Sequence, residues 1–90
     1  MKLTDQIIVP DEVVAREVGD ETMLLDLASG TYFGLDAVGA RIWQMLEAGN
    51  TPAEACDAIL ADYDVERSIV ERDVGALLGE LAERRLIIAP

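Results

Sequence analysis

Apolar residues in the first part of the chain occur in three short runs that are separated by turn residues. The runs are Val13–Val18, Thr22–Leu27 and Thr31–Leu35. Gly19 and Gly30 lie in the two connections, and glycine adopts the positive φ that tight hairpin turns require. Short apolar runs with such turns between them are typical of antiparallel strands. The pattern therefore predicts a three-stranded meander.

From about residue 36 onward, the apolar spacing changes to that of helices. We predict three helices, over Ala37–Ala48, Pro52–Tyr63 and Glu66–Arg85. Asp36 precedes the first helix and Thr51 the second, and both residue types favour the N-cap position. The second helix is expected to point Ala55, Ile59 and Tyr63 inward. In the third helix, the apolar residues that recur with a period of about 3.6 are Ile69, Val70, Val74, Leu77, Leu78 and Leu81.

The predicted order of elements is β-β-β-α-α-α, which defines an α+β fold with a winged-helix-like arrangement. A sheet of three strands needs helices against one face to be stable. We expect residues 1–90 to form one domain, with residues 1–11 as an irregular lead-in and Leu86–Ala89 as an extended tail. The apolar start Ile7–Val9 either covers the core or contacts a partner, and the pattern does not distinguish these two roles.

Composition and charge narrow the classes of partner. The chain has 18 acidic and 7 basic residues and a formal charge of −11. Such a surface repels nucleic-acid phosphates and anionic lipids, so we expect neither nucleic acid nor membrane as a partner. A winged-helix DNA-binding module is an alternative, but the predicted second helix carries no basic residue to present to a groove. The single cysteine and the absence of a signal-peptide pattern favour a cytoplasmic location.

Candidate catalytic chemistry is sparse. The sequence contains no histidine, which removes the most common general base and transition-metal ligand. Cys56 precedes Asp57, an acidic neighbour that raises a thiol pKa, so we expect a buried and unreactive thiol. The acidic segment 62–66 lacks the glycine and the final acid of an EF-hand loop and is predicted to be solvated. We therefore predict a non-enzymatic protein with no cofactor and no metal site.

The last predicted strand is the feature most suggestive of binding. Thr31–Leu35 would lie at an edge of the meander, and it contains no charge, although natural edges are commonly protected by charge, proline or a bulge. An unprotected edge is open to β-augmentation by a peptide, and we expect its free donors at Tyr32 or Phe33. The alternative is a strand that only supplies core residues, because Phe33 and Leu35 share a face.

One long segment resembles a known family. The run from Met23 to Asp36 reads MLLDLASGTYFGLD, and it is followed by Gly39, by Ile42-Trp43 and by Leu46. This pattern resembles the PqqD-like family, which is named for a pyrroloquinoline quinone synthesis protein and includes leader-peptide recognition elements of ribosomally made, modified peptides. With the later helix pattern, the likeness covers roughly residues 12–88.

The resemblance implies a function and a site. The leader of a precursor peptide would add as a strand beside the third strand and place side chains in a cleft bordered by the third helix. The residues implicated are Thr31, Tyr32, Phe33, Gly34 and Leu35 on the strand, with Arg67, Val70, Asp73, Val74 and Leu77 on the helix. Asp73 interrupts an apolar face, so it either bonds a polar or basic leader group or is simply solvated.

The resemblance also implies a second protein partner. A stand-alone chain of this size is most similar to the leader-binding proteins of lasso-peptide pathways, where a separate leader peptidase would process the bound precursor. One alternative is a peptide chaperone that serves a radical enzyme in quinone synthesis. Another is a structural or regulatory subunit that binds a protein through its helices without any leader peptide.

Overall fold

Three strands are followed by three helices in the computed structural model, which describes residues 1–90. The strands are β1 (Val13–Val18), β2 (Glu21–Asp26) and β3 (Tyr32–Leu35), and the helices are α1 (Ala37–Glu47), α2 (Pro52–Asp62) and α3 (Arg67–Glu83). The predicted α+β fold and its β-β-β-α-α-α order are confirmed. The helices end slightly earlier than the apolar pattern suggests. None of the three helices has the length and hydrophobicity that a bilayer-spanning segment requires.

The sheet is antiparallel, with β2 in the centre and β3 at one edge. Leu24 of β2 lies opposite Phe33, and Thr22 lies opposite Leu35. Because cross-strand partners share a face, Leu24, Phe33 and Leu35 all point toward the helices. The opposite face carries Tyr32, whose side chain is 67% exposed.

The turn that leads into β3 is fixed by Asp26. Its carboxylate accepts hydrogen bonds from the Ala28 amide at 3.1 Å and from the Ser29 hydroxyl at 2.7 Å. Gly30 has a φ of 76° and donates its amide to the Asp26 carbonyl at 2.7 Å. A residue with a side chain would be strained at this φ. The turn therefore sets where β3 begins and in which register it pairs.

Both shorter helices begin at the predicted caps. Asp36 accepts a hydrogen bond from the Gly39 amide at 2.8 Å, and Thr51 forms a complete capping box with Glu54. A Cβ at Gly39 would lie 3.3 Å from the Leu35 side chain, so this glycine lets α1 approach β3 closely. Asp36 thus joins the edge strand directly to the first helix.

Sixteen buried apolar side chains form the core. Trp43, Leu24 and Cys56 are almost completely buried, which confirms the predicted burial of the cysteine. The prediction that Tyr63 points inward is wrong. The second helix ends at Asp62, and Tyr63 is extended, with φ −124° and ψ 141°, so its side chain is 45% exposed.

The two ends of the chain pair with each other. Ile8 and Ile88 exchange backbone hydrogen bonds of 2.9 Å and 2.8 Å. Ile7 is 3% exposed and belongs to the core, as do Leu86 and Ile87 of the tail. Ile7 therefore covers the core, whereas Ile8 is 56% exposed, and neither terminus pairs with the edge of β3.

Candidate peptide-binding groove

The outer edge of β3 presents unpaired backbone groups at Tyr32 and Gly34. The Asp26 amide donates a hydrogen bond to the Thr31 carbonyl at 2.9 Å, so Asp26 and Thr31 form a hydrogen-bonded pair between β2 and the start of β3. Bonded and non-bonded pairs alternate along antiparallel strands. Phe33 and Leu35 therefore bond to β2, whereas the N–H and C=O groups of Tyr32 and Gly34 point outward. The expectation that Phe33 offers an edge donor is thus wrong.

A groove separates β3 from α3. Helix α3 packs mainly against α2, and no extensive contact joins it to the sheet. The space between them has a volume of about 480 Å³, and 11 of its 16 lining residues are hydrophobic. This volume falls within the ordinary range for ligand pockets. The edge of β3 forms one rim of this groove.

Seven of the ten predicted site residues line the groove. They are Phe33, Gly34, Leu35, Val70, Asp73, Val74 and Leu77. The four helical residues of this set follow helical spacing, so they share one face of α3. Val70 and Val74 are buried, whereas Leu77 is half-buried and Asp73 is exposed. Of the apolar residues among these four on α3, Leu77 is therefore the one that is accessible to a ligand and is not part of the buried core.

The structure places the other three predicted residues outside the groove lining. Thr31 belongs to the turn, where its amide donates a hydrogen bond to the Ser29 hydroxyl oxygen at 3.3 Å. Tyr32 directs its side chain to the opposite face of the sheet, although its backbone lies at the edge. Arg67 donates to Asp57 at 2.6 Å, and this hydrogen bond raises the pKa of its guanidinium.

Two other parts of the chain contribute to the groove without having been predicted to do so. Val38 and Ile42 of α1 form its floor beside Leu35. Tyr63 and Val65, from the connection between α2 and α3, line it together with Ile69 at the start of α3. The signal available in the sequence was the alternation of apolar and acidic residues over 62–66. Apolar side chains in a solvated loop indicate a surface that is used for contact.

The charged groups at the groove are mostly acidic. Asp36, Asp73 and Glu80 line it, and the Asp36 carboxylate is already engaged in capping α1. One cation lies at its border, because the Arg84 guanidinium sits 5.2 Å from the centroid of the Phe33 ring. The groove thus combines an apolar floor, acidic groups on α3 and one basic group beside β3.

Residues with catalytic or metal-binding potential do not assemble here. No group of three or more His, Cys, Asp or Glu side chains is arranged to hold a metal ion. Cys56 lies outside the groove lining, and burial is the main cause that raises the pKa of its thiol. Glu71 and Asp57 raise it further, whereas Arg67 lowers it.

Comparison with known proteins places this arrangement in a family. The sequence profile described as Coenzyme PQQ synthesis protein D (PqqD) matches residues 21–87. The chain belongs to the PqqD family. The matched region includes β2, β3, all three helices and every residue that lines the groove. The resemblance inferred from the strand and helix motifs is thereby confirmed.

Two solved structures are similar to this PqqD-family chain. TbiB1 in complex with the TbiA(beta) leader peptide is 51% identical, with a TM-score of 0.82, and the match covers 89% of this chain and 93% of that one. Lasso peptide synthetase B1 complexed with the leader peptide is 31% identical, with a TM-score of 0.83 and coverages of 92% and 98%. No curated protein sequence gives a significant match.

Proposed function

We propose that this PqqD-family chain is a non-catalytic protein that binds the leader of a precursor peptide. The observation that carries the proposal is the open edge of β3 beside an apolar groove. The two similar structures support it, because both relatives are described in complex with leader peptides. The relative described as lasso peptide synthetase B1, which is 31% identical, favours a lasso-peptide pathway over quinone synthesis.

Binding proceeds by addition of the leader to β3 as a further antiparallel strand. The leader backbone bonds to the N–H and C=O groups of Tyr32 and Gly34, and Thr31 and Leu35 flank these positions. Side chains alternate along a strand. Leader residues opposite Phe33 therefore point into the groove, while those opposite Tyr32 and Gly34 point to the outer face of the sheet.

The energetics suit a specific but reversible complex. Each backbone hydrogen bond contributes about 1 kcal/mol net and does not depend on the leader sequence. Each leader side chain that is fully buried against Leu77, Ile69 or Val38 adds roughly 1.5–3 kcal/mol. Ordering a flexible leader costs about 2–5 kcal/mol. The balance predicts a dissociation constant in the micromolar to nanomolar range and assigns specificity to the groove.

Residues of α3 select for polar or basic groups in the leader. The Asp73 side chain lines the groove, is 68% exposed and lies 3.5 Å from Arg72 in an exposed ion pair, which a polar or basic leader group would have to replace or share. Val70 and Val74 form the wall below it. Arg67 is held by Asp57 and contributes to the proposed site only when that ion pair opens.

The bound leader is presented to a separate leader peptidase in the cytoplasm, where ribosomal precursors are made. Strand addition supports this role, because it holds the leader while leaving the downstream part of the precursor free. The peptidase contributes the cleavage chemistry. The chain itself contributes affinity and orientation.

The experiment that tests the proposal is titration of fluorescently labelled TbiA(beta) leader peptide into the wild-type protein and into Leu77→Asp. We expect micromolar or tighter binding to wild type and at least a tenfold loss in the variant, because a charge would face apolar leader groups. Val18→Asp is the matched control, since Val18 is 62% exposed and lies outside the groove. Absence of binding to wild type, or equal affinity in folded Leu77→Asp, would overturn the proposal.

A further inference from the structure

We infer that Arg84 is a specificity-determining residue that selects an acidic side chain in the bound peptide. The inference rests on the proposed function and deepens it, because it names the chemistry of one leader position. It concerns the leader residue that lies opposite Phe33.

The observation that carries the inference is the position of the Arg84 guanidinium. It lies over the Phe33 ring at 5.2 Å from the centroid and donates one hydrogen bond to the Glu80 carbonyl at 3.2 Å. Both contacts hold the side chain between the end of α3 and the edge strand. Of the five N–H donors of the guanidinium, only one is engaged by this bond, and the others are available to a ligand.

Arg84 also lacks a carboxylate partner in a chain with a formal charge of −11. Arg41, Arg67 and Arg72 are each ion-paired with an acidic side chain, whereas Arg84, like Arg16 and Arg85, is not. No carboxylate lies within ion-pair distance of Arg84, although Glu80 and Glu83 are near it in sequence. A planar guanidinium with free donors matches a carboxylate better than any other side-chain acceptor.

The register of strand addition brings one leader side chain to this cation. Phe33 lies between Tyr32 and Gly34, the two residues whose backbone groups point outward. The leader residue opposite Phe33 forms a non-hydrogen-bonded pair with it, for which the Cα atoms lie about 4.5 Å apart. Its side chain shares the inner face with Phe33. It therefore extends beneath Arg84, where an aspartate or glutamate gains an ion pair.

The test is a scan of the TbiA(beta) leader peptide in which each position is replaced in turn by Glu, Gln and Lys. Titration of wild type should show one position at which Glu binds about two- to fivefold more tightly than Gln, the range for a partly exposed ion pair. Arg84→Gln should remove this preference, and Arg84→Glu should reverse it toward Lys at the same position. Arg85→Gln removes the same charge one residue away and should keep the preference.

The outcomes separate this inference from the proposed function. If the peptide binds wild type and binding is lost in Leu77→Asp, but no position prefers Glu, the selective role of Arg84 is refuted while leader binding stands. A Glu preference that persists in Arg84→Gln also refutes it. If the peptide does not bind wild type at all, both proposals fail. A purely structural contact of Arg84 with Phe33 would change affinity equally for the Glu, Gln and Lys peptides.

Discussion

Replacing Tyr32 by proline tests strand addition at a single backbone donor. The Tyr32 amide points away from β2, so its removal breaks no hydrogen bond within the sheet. Proline is tolerated at edge strands for this reason. We therefore expect the variant to remain folded, with a free energy of unfolding within about 1 kcal/mol of wild type.

The effect on peptide binding should be much larger. The variant loses one intermolecular hydrogen bond and leaves a leader carbonyl buried without a donor, a combination that costs about 1–3 kcal/mol. Affinity for the leader peptide should fall by roughly 5- to 150-fold, since 1.4 kcal/mol corresponds to a factor of ten. Fluorescence anisotropy with labelled TbiA(beta) leader peptide measures this change.

Tyr32→Ala and Phe33→Pro are the matched controls. Tyr32→Ala removes the exposed ring and keeps the amide, so its affinity should stay within about threefold of wild type if the amide is what matters. Phe33→Pro removes a bond to β2 and should lower stability, which unfolding monitored by the single buried Trp43 would report. Equal affinity of wild type and Tyr32→Pro would refute the reasoning.

Four further predictions concern the core, the thiol and the turn. Val74→Asp buries an unpaired charge at a position that is 2% exposed, so urea unfolding should show that the free energy of unfolding falls by about 3–5 kcal/mol. Leu77→Asp should retain most of the wild-type free energy of unfolding. The pKa of Cys56 is raised above its ordinary 9.0, so the thiol ionises first in the unfolded chain. The free energy of unfolding should therefore fall as the pH rises above 9.0. If the free energy of unfolding of Cys56→Ala fell equally with pH, the thiol would not be the cause. Native Cys56 should react with a thiol reagent only as fast as the chain unfolds, and rapid stoichiometric labelling would contradict its burial. Asp26→Ala should destabilise by about 1–2 kcal/mol through loss of the turn hydrogen bonds, and an unchanged urea midpoint would argue against that role.

Local sequence features predicted most of the fold. The turn glycines, the Asp36 and Thr51 caps and the helical spacing of Val70, Val74 and Leu77 each depend on residues that are close in sequence. Such signals do not need the tertiary structure. They were sufficient for the order of elements and for the α3 side of the groove.

The features that were missed depend on contacts between distant segments or on which residues of β3 form hydrogen bonds with β2. Pairing of Ile8 with Ile88 joins opposite ends of the chain, and no local pattern encodes it. The Tyr32 and Gly34 amides point outward because the turn at Asp26 sets the register in which β3 pairs with β2. The spacing of Tyr63 fits the inward face of α2, but the helix ends one residue before it, at Asp62.

The most direct test of the central claim is residue-resolved hydrogen exchange of β3 with and without leader peptide. In the free protein, the Tyr32 and Gly34 amides should exchange rapidly, whereas Phe33 and Leu35 should already be protected by β2. Addition of saturating TbiA(beta) leader peptide should slow exchange at Tyr32 and Gly34 and leave the other two little changed. Binding that left the Tyr32 and Gly34 amides in fast exchange would contradict addition of the leader as a fourth strand.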